Sequence, residues 1–481
     1  MAIDSSIFKA YDVRGVVDKT LTQEAIHAIA FSYGEKARQQ GVKEVTIGRD
    51  GRLSSPKIAH ILAQGLMEMG LTVKDVGEVT TPMLYFAAYH HTQGSGIMVT
   101  GSHNPPEYNG LKFMLAGQTL AGETIRELYT LTQNRQIVPA ATAGQIKSLP
   151  IENEYILAVQ QRIKLNRPMN IIIDAGNGVA GAYAGALYRA LGAQVEELFC
   201  TVDGMFPHHH PDPSQQDNLQ DLIRTLRTSD AELGLAFDGD GDRLGVVTQE
   251  GEIIYPDRLL MLLSEDVLSR CPGGVVVYDI KCTRLLAPWI KNKGGQPVLS
   301  RTGHSYIKGA MQREKALIAG EMSGHLFFSE RWFGFDDGLY AGARILEILS
   351  KSQDISKRLH ALPQLQSTPE ITLTLKEEGR NHEIIKQLQK NPNFPGAENI
   401  ITLDGLRVEY KDGFGLVRAS NTTPSLVLRF EGKDQDTLQR IKEVFYSALS
   451  SFVPDLDHYF SLSSPINHMS VSYTHLRAHE T

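Results

Sequence analysis

The chain has 481 residues, of which 42% are hydrophobic and 21% charged, with a formal net charge of −7. That length exceeds what one hydrophobic core organises, so several domains are expected, and the composition excludes wholesale disorder. The negative charge excludes a bulk nucleic-acid binder, which carries a basic face, yet local Arg and Lys can still hold a small anion.

Taken in chain order, the pattern of apolar residues repeats three times. VTIGRD from Val45 reads as a strand and PKIAHILAQGLMEMG as an amphipathic helix ended by Gly70. LTVKDVG is then a strand, PMLYFAAYHH a helix, and SGIMVTGSH a strand entering a polar loop. The second copy runs NIIIDAGN, GAYAGALYRALG, QVEELF, DNLQDLIRTLRTS and ELGLAFDGDGDR. The third runs GVVVYDI, TRLLAPWIKNKG, QPVLSRTG, HSYIKGAMQRE and ALIAGEMSGH. Strands alternating with helices predict βαβ units with parallel strands, and ligands of such sheets lie beyond the strands' carboxyl ends. Each copy places one polar loop there: TGSHNPPEYNG, DGDGDR and GEMSGH.

After about residue 365 the pattern changes. ITLTLK, NIITLDGLRVEY, FGLVRAS and SLVLRFEG read as strands, and RNHEIIKQLQK and DTLQRIKEVFYSAL as helices, which predicts a smaller α+β domain. Residues 463–481 carry neither period and read as an unstructured or non-native tail. The start, MAIDSSIFKAYDVRG, has no basic segment followed by an apolar run, and no stretch is long enough to span a bilayer. Cys200, Cys271 and Cys282 form no C-x-x-C pair and read as reduced thiols. A soluble cytoplasmic protein without a membrane partner is expected.

Four loops invite chemical reading. In DGDGDR, alternate side chains share one face, so Asp238, Asp240 and Asp242 can converge on one hard cation such as Mg²⁺. An EF-hand is excluded, because Arg243 stands at its sixth position and Gln249 at its twelfth. In TGSHNPPEYNG, Ser102 follows a strand and a glycine, with His103 and Lys112 near enough in sequence to move a proton or balance charge. Asn104 replaces the second glycine of a G-x-S-x-G elbow, and the same residues also make a good turn, so this loop alone reads either way. RASNTTPS gathers Arg418, Ser420, Asn421, Thr422 and Thr423, a guanidinium and hydroxyls suited to a phosphate or simply to a polar turn. Gly176, Gly178 and Gly181 form a G-x-G-x-x-G after a strand, with Glu196 or Glu197 at a plausible distance for a ribose contact, the pattern of an NAD-dependent dehydrogenase and equally of a glycine-rich helix start in any βαβ unit. Asp174 at the same turn opposes an incoming pyrophosphate.

Together these loops resemble the α-D-phosphohexomutase superfamily, most closely its phosphomannomutase/phosphoglucomutase branch. The resemblance runs in order from FKAYDVRG to RASNTTPSLVLRFEG and covers all but the tail. It implies three similar α/β domains with mixed sheets and a C-terminal α+β domain around a central cleft. Their expected bounds are 1–148, 149–252, 253–365 and 366–462. It implies an enzyme that interconverts hexose 1-phosphate and hexose 6-phosphate of mannose or glucose through a hexose 1,6-bisphosphate. Ser102 would be the phosphoserine, acting with His103, Lys112 and Arg243, and with Asp238, Asp240 and Asp242 it would hold Mg²⁺. Tyr11, Arg14, Lys281, His304, Glu321, Ser323, His325, Arg418, Ser420, Asn421 and Thr422 would bind the sugar phosphate.

Glucose 1,6-bisphosphate would act as activator, and the enzyme would be a monomer or dimer. Many relatives carry Thr-Ala where this chain has Thr100-Gly101, a change expected to free the backbone without removing chemistry. The competing readings are a phosphoglucosamine mutase, the dehydrogenase, and a sugar-phosphate binding protein without activity.

Overall fold

A computed structural model describes residues 3–133, 137–377, 379–420, 423–453 and 456. The tail from 463 lies outside the described residues. The chain divides into two compact units, residues 1–364 and residues 365–481.

The first unit contains the three copies, and their strands are ordered alike. In the first copy Glu44–Arg49 lies between Thr72–Glu78 and Gly96–Val99, all parallel. In the second, Asn170–Asp174 lies between Gln194–Leu198 and Leu233–Phe237, again parallel. In the third, Val275–Asp279 lies between Gln296–Ser300 and Ile318–Gly320. The chain then reverses in each copy and adds an antiparallel strand: Tyr108–Leu115, Leu244–Thr248 or Leu326–Phe328. Periodicity alone missed these returning strands. Their effect is that each polar loop sits between a parallel strand and its antiparallel partner. In each loop one residue turns the chain through the left-handed region, with φ of +49° at Ser102, +73° at Gly241 and +99° at Gly324. Two of the three are glycine, the residue that adopts this conformation without strain.

Three long helices also escaped the reading, Gln23–Gln39, Pro256–Arg270 and Gly338–Leu349. The last is buried along its whole length, its charged Arg344 and Glu347 included, so no solvent-facing stripe marks its period. One core joins the second and third copies with part of the first, through residues such as Tyr155, Leu187, Leu260 and Leu346. A second core lies between the first sheet and the helices Gln23–Gln39 and Ser55–Glu68.

The C-terminal unit is an antiparallel sheet whose core includes Leu373, Ile384, Leu428 and Phe445. The single strand read in NIITLDGLRVEY is two, Asn399–Ile401 and Leu406–Tyr410, paired antiparallel. Gly405, at φ +82°, makes the turn between them, where a Cβ would lie 2.2 Å from the Val417 carbonyl oxygen.

Candidate active site

Ser102 ends its strand with its hydroxyl between two partners. Its Oγ lies 3.1 Å from His103 Nδ1 and donates to Asp238 Oδ2 at 3.1 Å. Burial, then the charges of Arg243 and Arg14, hold the His103 imidazole well below its ordinary pKa, so it is neutral and can accept a proton. The Ser102 amide donates to Thr100 Oγ1 at 2.8 Å, and Thr100 in turn donates to Asp50 Oδ2 at 2.8 Å. The backbone at Gly101 does not use glycine's freedom, since its φ is not left-handed; the space does the work. A Cβ there would lie 2.4 Å from Arg52 Nε, which corrects the expectation of a merely freer backbone.

The three aspartates converge as their spacing predicts. One carboxylate oxygen from each of Asp238, Asp240 and Asp242 lies within 4.8 Å of the others, and all three side chains are buried. Burial, reinforced by Asp242 and Asp240, pushes Asp238 well above its ordinary pKa. Burial would raise Asp242 too, but Lys112 and His325 hold it well below. The Lys112 ammonium lies 2.6 Å from Asp240 Oδ2 and 2.5 Å from Asp242 Oδ2. Thr81 donates to the same Asp240 oxygen at 2.5 Å, whereas buried Asp240 Oδ1 accepts no hydrogen bond among the described residues. An acceptor left over beside two further carboxylates fits a hard divalent cation. Gly239 packs so closely on the serine loop that a Cβ would lie 2.3 Å from the Ser102 carbonyl oxygen.

The third loop faces the other two. Glu321 accepts from the Gly303 amide at 2.5 Å and lies 3.2 Å from His325 Nδ1. Burial would lower His325, but Asp242, 3.2 Å from its Nε2, and Glu321 together outweigh burial and raise it to about 9. Ser323 Oγ sits 2.8 Å from His325 Nδ1. His304 is buried, its ring edge-on to Tyr11 and stacked on His325, and neither of its nitrogens has a hydrogen-bond partner among the described residues. Arg14 is held by Asp12 at 2.6 Å and reaches Asn104 of the serine loop. Arg243 donates its amide to Asp238 at 3.1 Å and lies 3.9 Å from Asp212. Lys281 is buried just past the strand Val275–Asp279. The structure thus brings together Tyr11, Arg14, Ser102, His103, Lys112, the three aspartates, Arg243, His304, Glu321, Ser323 and His325.

Arg418 and Ser420 belong to the C-terminal unit. There Arg418 Nε donates to Asp404 at 3.0 Å, and Thr423 Oγ1 donates to Ser420 Oγ at 2.9 Å. Asn421 and Thr422 lie outside the described residues.

The glycines that suggested a dinucleotide site serve close packing. A Cβ on Gly178 would meet the Gly239 Cα and carbonyl oxygen at 3.0 Å, and one on Gly181 the Cys200 carbonyl oxygen at 2.3 Å. Only a short helix follows, Ala184–Ala190, after a 3₁₀ turn at Val179–Ala182. Sequence reasoning missed Asp50, Arg52 and Thr81 altogether. The first two follow the strand Glu44–Arg49, so the rule that singled out the other strand-end loops would have reached them.

Comparison with known proteins agrees with this geometry. The chain matches models described as phosphoglucomutase/phosphomannomutase, alpha/beta/alpha domain I over residues 5–137, domain II over 153–251 and domain III over 255–365. It matches the C-terminal domain of the same family over residues 370–448. It is 56% identical over 450 residues to the phosphoglucomutase of Neisseria gonorrhoeae, covering 94% of this chain and 98% of that one. It is 51% identical to the phosphomannomutase/phosphoglucomutase of Pseudomonas aeruginosa, covering 93% and 96%. A crystal structure of a phosphoglucomutase/phosphomannomutase family protein from Burkholderia thailandensis superposes with a TM-score of 0.88 at 48% identity, covering 94% and 99%. Four domain matches in chain order leave one conclusion: the chain belongs to the phosphoglucomutase/phosphomannomutase family of α-D-phosphohexomutases.

Proposed function

We propose that this protein interconverts hexose 1-phosphate and hexose 6-phosphate, of glucose and mannose, with Ser102 as the phosphate carrier. The observation that carries the reading is the Ser102 hydroxyl, set between neutral His103 and Asp238 of a three-carboxylate cluster. Phosphorylated Ser102 transfers its phosphoryl group to the free hydroxyl of a bound sugar monophosphate. The bond to Ser102 Oγ breaks, a bond to the sugar oxygen forms, and the sugar's hydroxyl proton ends on Ser102 Oγ. The resulting hexose 1,6-bisphosphate reverses its orientation and returns its other phosphoryl group to Ser102. Asp238, Asp240 and Asp242 would hold Mg²⁺, which neutralises charge at the transferring phosphate when bound. Lys112, Arg14 and Arg243 balance the remaining phosphate charge, and Lys281, His304, Glu321, Ser323 and His325 contact the sugar. Arg418, Ser420, Asn421 and Thr422 would hold the distal phosphate, and glucose 1,6-bisphosphate would recharge enzyme that has lost its own.

Each of the four family matches falls inside one of the domains 1–148, 149–252, 253–365 and 366–462, which supports that division. No described helix is long and apolar enough to cross a membrane. The free thiols of Cys200, Cys271 and Cys282 support a reducing, cytoplasmic setting.

A bisphosphate bound in two orientations favours grips common to both, so the C2 hydroxyl is weakly read. Mannose 1-phosphate and glucose 1-phosphate should then lie within roughly 10–200-fold of each other in kcat/KM, with glucosamine 1-phosphate poorer than both. Intact mass after incubation with glucose 1,6-bisphosphate should show one phosphate on Ser102, and Ser102→Ala should lose both adduct and turnover while keeping its fold. A phosphate on another residue with activity intact in Ser102→Ala, or a clear preference for glucosamine 1-phosphate, would overturn the assignment.

A further inference from the structure

Arg52 is 2% exposed, yet it donates to a whole ring of carbonyl oxygens, all of them from the serine loop. Its Nη2 donates to the Ser102 carbonyl at 2.8 Å and to that of Asn104. Its Nη1 donates to the Pro105 carbonyl at 2.6 Å and to the Tyr108 carbonyl at 3.1 Å. Asp50 fixes the guanidinium from behind, with Oδ2 3.3 Å from Nε, and the same carboxylate accepts from Gly101, Thr100 and Ser55. The Phe206 ring lies 5.1 Å from the Arg52 guanidinium carbon. Gly101 leaves the space that the guanidinium fills.

At the centre of this ring stands Ser102, a residue with a Cβ in the left-handed region. Such a conformation persists only where the surroundings enforce it. The two corresponding loops need no such device, because glycine occupies the left-handed position in each.

We propose that Arg52, anchored by Asp50, is the positioning residue that locks Ser102 in its left-handed conformation and so aims its hydroxyl for phosphoryl transfer. The inference rests on the reading of Ser102 as carrier. Arg52 touches neither phosphate nor sugar in this scheme and acts only through the serine backbone. Its planar fork presents several donors at once, whereas a lysine ammonium is a single point charge that cannot reach four carbonyls spread over seven residues.

Arg52→Lys should lower kcat by about 10²-fold, the scale of a small misplacement of a reacting group, and leave KM for glucose 1-phosphate within about twofold. Asp50→Asn keeps the shape but weakens the anchor behind the guanidinium, so it should show the same split. Its effect should not add to that of Arg52→Lys. Guanidinium chloride at millimolar concentration should restore part of the rate to Arg52→Ala and none to Ser102→Ala. Arg344→Lys is the control for a merely structural loss. That arginine is equally buried, but it pairs with Glu330 at 2.9 Å and Asp266 at 3.2 Å, far along the chain from the serine loop. It should lower Tm without lowering kcat.

The wild-type phosphate adduct separates the two ideas. If Ser102 takes no phosphate in the wild type, the carrier reading fails and the positioning role falls with it. If Ser102 is phosphorylated but Asp50→Asn and Arg52→Lys turn over at the wild-type rate, or lose only affinity, the positioning role alone is overturned.

Discussion

Asp240 shows how finely charge is balanced in this site. One of its oxygens is shared by Lys112 and Thr81, while the other, buried, accepts nothing among the described residues. Asp240→Asn keeps the shape and removes one negative charge from the cluster. Mg²⁺ affinity should fall by at least about tenfold, and kcat with it, while thermal stability in the absence of metal falls because the buried Lys112 ammonium loses a charged partner. Titration calorimetry with Mg²⁺ and rates after chelation and metal return check this; full activity in excess EDTA would remove the metal role. Ser102 and the three aspartates were legible in the sequence because residue type and spacing alone carry their chemistry. The strand-end rule could have reached Arg52 but not its role, because its partners are main-chain carbonyls about 50 positions away and no side-chain pattern announces them.

At the scale of elements, the helix Gly338–Leu349 depends on the residue just before it. Asp337 caps it by accepting from the Tyr340 amide at 2.9 Å, and also accepts from the Tyr155 hydroxyl and the Trp332 indole. Burial outweighs these donors and raises its carboxyl from the ordinary 3.8 to about 7. The folded state therefore keeps a proton that the unfolded chain has released between about pH 4 and pH 7. The stability from that proton is full below the window and is lost as pH rises through it, an effect on the order of 4 kcal/mol. Asp337→Asn does not titrate, so the Tm advantage of the wild type over the variant should shrink as pH goes from 5.5 to 8. A constant difference would show that Asp337 stays ionised throughout. This helix was invisible to periodicity because it is buried on every side, its charged Arg344 and Glu347 included, and the returning strands were missed because each follows directly on a loop that drew attention to itself. The parallel strands were legible, as were amphipathic helices such as Ser55–Glu68 and Gln220–Arg227, which bury one face and expose the other.

Over the whole molecule, the threefold plan and the different C-terminal unit could be read from where the hydrophobic period changes. The convergence of the three loops could only be inferred, because it depends on how successive copies pack, which no single segment encodes. The reversal shared by the three copies has a consequence in time. Each hairpin closes over a short stretch of chain and can form early, whereas Ser102, Asp238 and Glu321 meet only after the copies have docked on one another. Catalytic competence is then the last property the chain acquires. On refolding from denaturant, far-UV ellipticity should return before mutase activity, with the lag set by docking rather than by strand formation. If signal and activity return together, the copies fold as one cooperative body and the site has no separate moment of assembly.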